Sequence, residues 1–85
     1  MRIASIVGDN IRGFRSKKRW TQARLGEECG SSGNYIGEIE REETRVTVEK
    51  LFDIAKALKV KPHYFFVEGA YRKTPTEIER ILREG

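Results

Sequence analysis

The sequence predicts an all-α protein of five or six short helices, and three observations lead to this prediction. Apolar residues recur every three or four positions through most of the chain, which is the spacing of amphipathic helices. No segment shows the alternation of apolar and polar residues that is typical of a strand. The two prolines, Pro62 and Pro75, both come late, and both suit the first turn of a helix.

A basic stretch joins the first two predicted helices. The repeating apolar residues of the first helix are Ile3, Ile6 or Val7, Ile11 and Phe14. Ser5 is a candidate N-cap for this helix, and the basic stretch closes it. Thr21 is predicted to cap a second helix over residues 22–29. Gly30 follows, where a positive φ would end that helix.

Two further helices are predicted before the first proline. Ser31 or Ser32 is expected to start the third helix, which runs to about Glu40 or Arg41. Thr47 is a good N-cap for the fourth helix. Its broad apolar stripe consists of Val48, Leu51, Phe52, Ile54, Ala55 and Leu58.

The last two predicted helices each begin near a proline. Pro62 opens a short fifth helix, whose aromatic residues are Tyr64, Phe65 and Phe66. Residues 74–77, TPTE, match a capping box with proline at the first helical position. This box opens a sixth helix with Ile78, Ile81 and Leu82 on one side.

Length and composition fit one small globular domain. Eighty-five residues allow one modest core, and 38% apolar with 35% charged residues is typical of a folded soluble chain. No apolar run approaches the roughly 20 residues that a membrane span needs. The N-terminus meets a charge too early for a signal peptide. The single cysteine, Cys29, excludes an internal disulfide framework, so we expect a cytoplasmic protein.

Basic residues are concentrated near the end of the first helix. The formal charge is +4, and no acidic residue occurs between Arg12 and Arg24. The six basic residues of this stretch are Arg12, Arg15, Lys17, Lys18, Arg19 and Arg24. They have two interpretations: cations that stabilise a helix C-terminus, or a patch that binds phosphates.

Four glycines interrupt residues 25–40, LGEECGSSGNYIGEIE, although the apolar residues of this segment have helical spacing. Each glycine inside a helix costs about 1 kcal/mol relative to alanine. Two short helices joined by a tight turn need small residues where their backbones approach, and glycine where φ is positive. We therefore expect Gly26 to lie at the contact between the helices and Gly30 to form the turn.

The other two glycines are predicted to lie on the outer face of the third helix. At about 100° per residue, this face collects Asn34, Gly37, Glu38 and Arg41. Ile36 and Ile39 lie nearly opposite, and Gly33 flanks the outer face. A surface without side chains can approach a groove wall closely. Alternatively, Gly33 and Gly37 are merely tolerated on a solvent-exposed face.

Residues 21–40 and 47–66 resemble the Cro/C1-type (XRE) helix-turn-helix family. The shared features are Thr21-Gln22, Gly30, Tyr35-Ile36, Ile39-Glu40-Arg41 and the series Leu51, Ala55, Leu58. The resemblance covers roughly residues 6–67 and extends to small phage-type repressors and to controller proteins of restriction–modification systems. It implies a compact five-helix, lambda-repressor-like DNA-binding domain over residues 1–67. Residues 68–85 would form an extension with an amphipathic helix, part of the same domain or of a dimer interface.

The chain departs from the family pattern at three positions. Gly26 replaces the usual alanine, and Gly37 stands where serine is common. Glu42 replaces the glycine that usually follows Ile-Glu-Arg, so we expect the third helix to end without a left-handed residue. Glu42 and Glu43 also place negative charge in a loop that runs near phosphates in the family.

The resemblance implies a sequence-specific regulator of transcription that binds double-stranded DNA through a recognition helix at about residues 32–41. Asn34 would read adenine, and Gly33 would lie against the bases. Glu38 would either accept from cytosine N4 or, because phosphates repel a carboxylate, only exclude wrong bases. The candidates for DNA backbone contacts are Gln22, Ser32, Tyr35, Arg41, Arg45, Lys17 and Arg19. Ser32 has the alternative role of a helix cap only, and Tyr35 that of packing against the domain.

The resemblance also implies an ion pair and a homodimer. Arg15 and Glu40 would join the first helix to the third. The candidate dimer interface consists of Tyr64, Phe65, Phe66, Val67, Ile78, Ile81 and Leu82. The alternative function is an antitoxin-like or other interaction module whose C-terminal helix binds a partner protein.

No enzyme activity, metal, cofactor, small-molecule ligand or membrane partner is expected. Cys29 and His63, the only residues of their types, are 34 positions apart in the chain and belong to no metal-ligand or nucleophile motif. The carboxylates are scattered over predicted helix surfaces. The sequence therefore favours a binding protein over a catalyst.

Overall fold

The computed structural model describes residues 2–84 and is all-α, as predicted. Its α-helices are α1 (Ile3–Lys17), α2 (Gln22–Glu28), α3 (Gly33–Glu40), α4 (Val48–Leu58) and α5 (Pro75–Glu84). The predicted fifth helix is a 3-10 helix at Pro62–Phe66, and a second 3-10 helix follows at Ala70–Arg72. The second one was not predicted. No strand occurs among residues 2–84.

The predicted starts of α2, α3, α4 and α5 are confirmed by their capping hydrogen bonds. The side chains of Thr21, Ser32 and Thr47 each accept a hydrogen bond from the backbone N–H three residues further on, at 3.0–3.1 Å. Thr74 and Glu77 form the reciprocal capping box at the start of α5: the Thr74 N–H donates to the Glu77 carboxylate, and the Glu77 N–H donates to Thr74 Oγ1. These short-range bonds fix where four helices begin.

The prediction that Ser5 caps the first helix is wrong. α1 begins at Ile3, and its N-cap, Arg2, makes no side-chain capping bond. Ser5 already lies inside the helix, and its hydroxyl donates to the carboxylate of Glu42 at 2.6 Å. The hydroxyl therefore joins α1 to the end of α3.

Left-handed residues end the first four helices. Arg19, Gly30, Glu42 and Lys59 have φ between 59° and 73°. After each of them, the next N–H donates to the carbonyl five residues before it, at 2.7–3.2 Å, which is the signature bond of a Schellman motif. The expected positive φ of Gly30 is confirmed. The expectation that α3 would end without a left-handed residue is wrong, because Glu42 itself adopts this conformation.

The core lies between the first four helices and the first 3-10 helix. Its largest fully buried apolar residues, with 0% exposure, are Ile11, Leu25, Ile36, Ile54 and Phe65. A second, smaller cluster consists of Tyr64, Val67, Ala70 and Ile78. Phe14 and Val60 pack against both clusters, so the apolar interior continues from the helical core to the start of α5.

Asn10 ties the segment after α4 to α1. Its side chain is completely buried, and its Nδ2 donates to the carbonyls of Phe65 and Val67 at 2.9 and 2.8 Å. Its Oδ1 accepts from the Tyr71 N–H at 3.3 Å. Because all three bonds involve backbone groups, Asn10 fixes the path of the chain through both 3-10 helices.

The predicted dimer interface is wrong for four of its residues. Tyr64, Phe65, Val67 and Ile78 are at most 7% exposed and pack inside their own chain. The short closing segment needs these side chains because it covers one end of the core. Three members of the predicted set remain accessible: Phe66, Ile81 and Leu82.

Candidate nucleic-acid interface

α2 and α3 contact each other through their backbones at the turn between them. The Ser31 N–H donates to the carbonyl of Gly26 at 2.7 Å, just after the left-handed Gly30. A Cβ built on Gly26 would lie 2.5 Å from the carbonyl carbon of Ser32, which is closer than real atoms approach. The predicted roles of Gly26 in close packing and of Gly30 in the turn are confirmed.

The outward placement of Gly33 and Gly37 is wrong. A Cβ on Gly33 would lie 2.7 Å from the backbone N and Cα of Ala23, in the first turn of α2. Gly37 is buried, and its Cβ would lie 3.0 Å from Gln22 Oε1. The beginning of α2 covers this side of α3, which a helical wheel for α3 alone does not reveal. Gly33 allows the backbones of the two helices to approach, whereas a Cβ on Gly37 would meet only the ends of the Gln22 and Arg41 side chains. Base reading by Gly33 stays a prediction.

The remaining outer face of α3 is open at its N-terminal half. Ile36 and Ile39 are 0% and 4% exposed, whereas Asn34 is exposed and Glu38 half-buried. Neither the Asn34 nor the Glu38 side chain has a hydrogen-bond or ion-pair partner among residues 2–84. A carboxamide offers both donors and acceptors, and a carboxylate offers acceptors only. These two side chains are therefore available to a partner outside the chain.

Ser32 and Tyr35 make structural contacts at the start of α3. Ser32 Oγ accepts from the Tyr35 N–H at 3.1 Å, so the hydroxyl caps the helix. Tyr35 is half-buried and packs against the core. Ser32 thus caps the helix and Tyr35 packs against the domain, as in the alternative roles that the sequence left open. Phosphate contacts by these two residues stay predictions.

A buried ion pair joins α1 to the end of α3. Arg15 donates from Nε and Nη2 to the two carboxylate oxygens of Glu40, at 2.7 and 3.0 Å. The same guanidinium donates from Nη1 to the carbonyl of Trp20 at 2.8 Å. The side chains of Glu40 and Arg15 are only 2% and 14% exposed. The structure therefore brings together the two residues that the resemblance pairs.

Gln22 extends this ion pair to α2. Its Nε2 donates to Glu40 Oε1 at 3.0 Å, so one carboxylate holds groups from α1 and α2 against the end of α3. An amide nitrogen has two hydrogens, and the second has no acceptor among residues 2–84. Gln22, predicted only as a phosphate contact, thus also has a structural role that its sequence position did not signal.

The loop after α3 carries charges that partly cancel. Arg41 donates from Nε and Nη2 to the carboxylate of Glu43, both at 3.0 Å. This hydrogen bonding lowers the pKa of the Glu43 carboxyl group and raises the pKa of Arg41. Glu42 turns toward the start of α1, where it accepts from Ser5. Arg45 is exposed and makes no ion pair within residues 2–84, so it is the better candidate of the two arginines for a phosphate contact.

Arg19 and Lys17, both predicted to contact the DNA backbone, lie on different sides of the structure. Arg19 is exposed just before α2. Lys17 donates from Nζ to the carbonyl of Tyr71 at 3.0 Å. It lies about 200° around α1 from Arg15, and Arg15 is on the side that faces α3. The structure does not bring Lys17 to the outer face of α3.

The sequence did not predict an apolar surface next to α4. Val48 and Phe52 belong to the predicted stripe, yet they are 68% and 57% exposed because the core contacts only one side of that stripe. Val48, Ile3 and Phe66 line one groove of about 620 Å³. The width of the stripe could have indicated this surface, because a helix at the surface of a domain buries only a narrower apolar face in the core.

Metal-ligating side chains are dispersed over the part of the chain that the structure describes. Residues 2–84 contain no group of three or more His, Cys, Asp or Glu residues placed to hold a metal ion. They also contain no helix long and apolar enough to cross a membrane.

Comparison with known proteins relates these helices to DNA-binding proteins. A family model described as "Helix-turn-helix" matches residues 11–65. Control protein C.SmaI of Serratia marcescens is 40% identical over 58 residues, which are 68% of this chain and 69% of that protein. Repressor protein C2 of Salmonella phage P22 is 39% identical over 59 residues, but the match covers only 27% of its length. Several other relatives are also longer, and the match covers 41–42% of them.

Two solved structures share the arrangement of helices. The P22 c2 repressor, in complex with a synthetic operator, superposes with a TM-score of 0.67 at 38% identity, over 71% of this chain and 91% of that chain. The restriction–modification controller protein C.AhdI of Aeromonas hydrophila gives a TM-score of 0.72 at 27% identity, over 74% of this chain and 96% of that chain.

Proposed function

We propose that this chain, which belongs to the Cro/C1-type helix-turn-helix family of transcriptional regulators, binds double-stranded DNA sequence-specifically. In this proposal α3 lies in the major groove. The observation that carries this proposal is the open face of α3. Asn34 is exposed and unbonded within residues 2–84, while Ile36 and Ile39 fix the opposite side of the helix in the core. The similarity to the P22 c2 repressor, solved with a synthetic operator, supports it.

The residues around α3 divide into base-reading and phosphate-binding groups. Asn34 pairs with adenine N6 and N7, and Glu38 accepts from cytosine N4. The second N–H of Gln22, at the start of α2, and the exposed Arg19 and Arg45 contact phosphates. Phosphate contacts set the position of α3 on the duplex, and the two side chains on its outer face set the sequence preference.

The experiment is a binding titration by fluorescence anisotropy across a salt series. The duplexes are the DNA upstream of the protein's own gene and a scrambled duplex of equal length. Tighter binding to the upstream DNA is expected, with affinity that falls steeply as salt rises. Equal affinity for both duplexes would refute the proposal.

Three variants separate the proposed roles in this assay. Asn34→Ala should cost about 1–3 kcal/mol and relax preference mainly at one base pair. Arg45→Ala should weaken binding to all duplexes and reduce the salt slope by about 1. Lys17→Ala is the control, because the structure places Lys17 away from α3. An unchanged base preference in Asn34→Ala would show that Asn34 does not read a base.

The regulator acts as a homodimer, because one short recognition helix makes few base contacts and two-fold dimers read two half-sites. The interface is a surface that we call the α4 patch, formed by Ile3, Val48, Phe52 and Phe66, each 47–68% exposed. Ile3, Val48 and Phe66 line one groove, and Phe52 follows Val48 by one helical turn. An apolar patch of this kind is buried when a second copy presents the same surface about a two-fold axis.

Sedimentation equilibrium tests the dimer and its interface. The wild-type protein should dimerise, and Phe52→Glu should weaken dimerisation tenfold or more because it places a charge in the apolar contact. Ile81→Glu is the matched control, since Ile81 is exposed on α5 and outside the patch. A monomeric wild-type protein at high micromolar concentration would refute the dimer. Dissociation by Ile81→Glu instead of Phe52→Glu would move the interface to α5.

A further inference from the structure

A groove of about 560 Å³ lies between the C-terminal ends of α1 and α4 and the start of α5. We call it the lysine groove, because its rim carries Lys17, Lys18, Lys59, Lys61 and Lys73. No residue of α2, α3 or the loop between α3 and α4 lines it. The lysine groove is therefore separate from the surface proposed to bind DNA.

The rim of the lysine groove is strongly positive. No aspartate or glutamate lines it, although the formal charge of the whole chain is only +4. Glu79 lies beside the rim, 3.5 Å from Lys61 Nζ and 3.4 Å from His63 Nε2. Lys59 and Lys73 form no ion pair within residues 2–84. The rim thus carries two ammonium groups, those of Lys59 and Lys73, that have no ion-pair partner among residues 2–84, although the charge of Lys73 acts on Glu77 and contributes to its lowered pKa.

Helix dipoles explain only part of this cluster. Lys17, Lys18 and Lys59 lie at the C-terminal ends of α1 and α4, where cations stabilise a helix. Lys73 lies two residues before the first residue of α5, at the positive end of that helix, where a cation is unfavourable. Lys61 precedes the first 3-10 helix. Lys61 has an ion-pair partner in Glu79, so Lys73 is the rim lysine that neither helix stabilisation nor an ion pair explains.

The floor of the lysine groove is apolar. It consists of Phe14, Leu58, Val60, Tyr64 and Ile78, which belong to α1, to the end of α4 and its following loop, to the first 3-10 helix and to α5. An apolar floor with a few convergent charged groups, at roughly 300–1,000 Å³, is typical of small-molecule sites. Eleven of residues 2–84 line the groove, whereas a stable protein interface uses about 20–30 residues on each side. Size therefore favours a small molecule over a partner protein.

We propose that the lysine groove binds a small amphipathic anion, a carboxylate or phosphate monoester carried on an apolar chain. The chain lies on the floor beside Phe14 and Val60, its half-buried residues, and the anionic group meets Lys59 and Lys73. Such a ligand contacts the ends of α1 and α4 and the start of α5 together, so its binding stabilises the folded protein. This site was not expected from the sequence, which predicted no small-molecule ligand.

Isothermal titration calorimetry and thermal unfolding with sub-micellar dodecanoate test this site on the full chain. We expect saturable binding of one dodecanoate per chain and a melting temperature that rises with ligand concentration. Dodecyl phosphate should bind similarly. Acetate, which lacks the apolar chain, and dodecyltrimethylammonium, which reverses the charge, should not bind at the site. Vesicles of phosphatidylglycerol distinguish a free anion from a lipid surface.

Paired variants locate the site. Lys59→Gln/Lys73→Gln should weaken dodecanoate binding roughly three- to tenfold, as expected for the loss of two exposed ion pairs. Lys56→Gln/Arg80→Gln removes the same charge outside the lysine groove and should leave the affinity unchanged. Equal weakening in both pairs, no saturable binding, a falling melting temperature with many molecules bound, or binding to vesicles alone would each overturn the proposal.

Discussion

Replacement of Glu40 by alanine tests how α3, the proposed recognition helix, is held in place. The Glu40 carboxylate accepts three hydrogen bonds, two from Arg15 and one from Gln22, at 2.7–3.0 Å. Glu40→Ala removes all three and leaves the Arg15 guanidinium, only 14% exposed, without a counter-charge. One hydrogen bond from Arg15 would remain, to the carbonyl of Trp20. The substitution therefore creates a buried, unpaired cation.

The expected loss follows from that unpaired charge. Removing one partner of a buried ion pair costs about 3–5 kcal/mol. For a domain of this size each kcal/mol lowers the melting temperature by about 4–8 °C, so Glu40→Ala should lower it by roughly 12 °C or more. DNA affinity should also fall, because the end of α3 loses its attachment to α1. That loss should affect all duplexes, unlike the loss at one base pair expected for Asn34→Ala.

Thermal and urea unfolding, followed by circular dichroism, measure the effect. Glu38→Ala is the control on the same helix, because the Glu38 carboxylate has no partner among residues 2–84. Arg15→Met/Glu40→Leu removes both charges and should be more stable than Glu40→Ala alone, since an apolar pair of similar volume leaves no orphan charge. An unchanged melting temperature in Glu40→Ala would show that the ion pair does not hold α3.

Three further predictions concern the backbone and the helix ends. Arg19→Gly should stabilise the protein by about 0.5–1 kcal/mol in urea unfolding, because glycine adopts the left-handed conformation without strain; Arg19→Ala should not. Gly33→Ala should destabilise the fold by about 1–3 kcal/mol, because its Cβ would lie 2.7 Å from the backbone of Ala23, and a gain in stability would contradict the observed contact. The Thr74 N–H lowers the pKa of Glu77 below its usual value near 4.5, so capping of α5 is complete above that value and is lost as pH falls through the lower, folded-state pKa. NMR chemical shifts that report a loss of helix in α5 as Glu77 becomes protonated would support this prediction. Shifts of α5 that do not change with acid would contradict it.

Local side-chain chemistry made the starts of α2 to α5 predictable. Thr21, Ser32, Thr47 and the pair Thr74 and Glu77 bond to N–H groups only three residues away, so the relevant partner is visible in the sequence itself. Helix ends were less predictable, because a positive φ at a residue other than glycine depends on how the next residues pack. Trp20 comes directly after Arg19 and packs against the core, and this tertiary contact accompanies the left-handed turn.

Contacts between elements were beyond a helical wheel. The wheel for α3 separated Asn34 correctly from Ile36 and Ile39, but it could not show that α2 covers Gly33 and Gly37. The same difficulty affected the predicted dimer residues. In the sequence, an apolar side chain that packs in its own core cannot be distinguished from one that packs against a partner. Buried polar side chains could not be predicted either. Asn10 is buried and bonds to three backbone groups, but nothing in the sequence distinguishes it from an exposed asparagine.

The residues that position α3 are different from those that it presents to solvent. Gly8, Gly26 and Gly33 allow backbones to approach. A Cβ on Gly8 would lie 3.0 Å from the carbonyl oxygens of Ile39 and Glu40, and Gly26 and Gly33 lie where the backbones of α2 and α3 meet. None of these contacts involves the side chain of Asn34 or Glu38. Because packing and charge on the inner side already fix the helix, substitutions at the two outer positions are expected to alter the base preference of the proposed interface without altering where the helix lies. Sequence preference is therefore expected to be adjustable at constant stability, whereas changes at the glycines should lower stability and affect every DNA sequence alike.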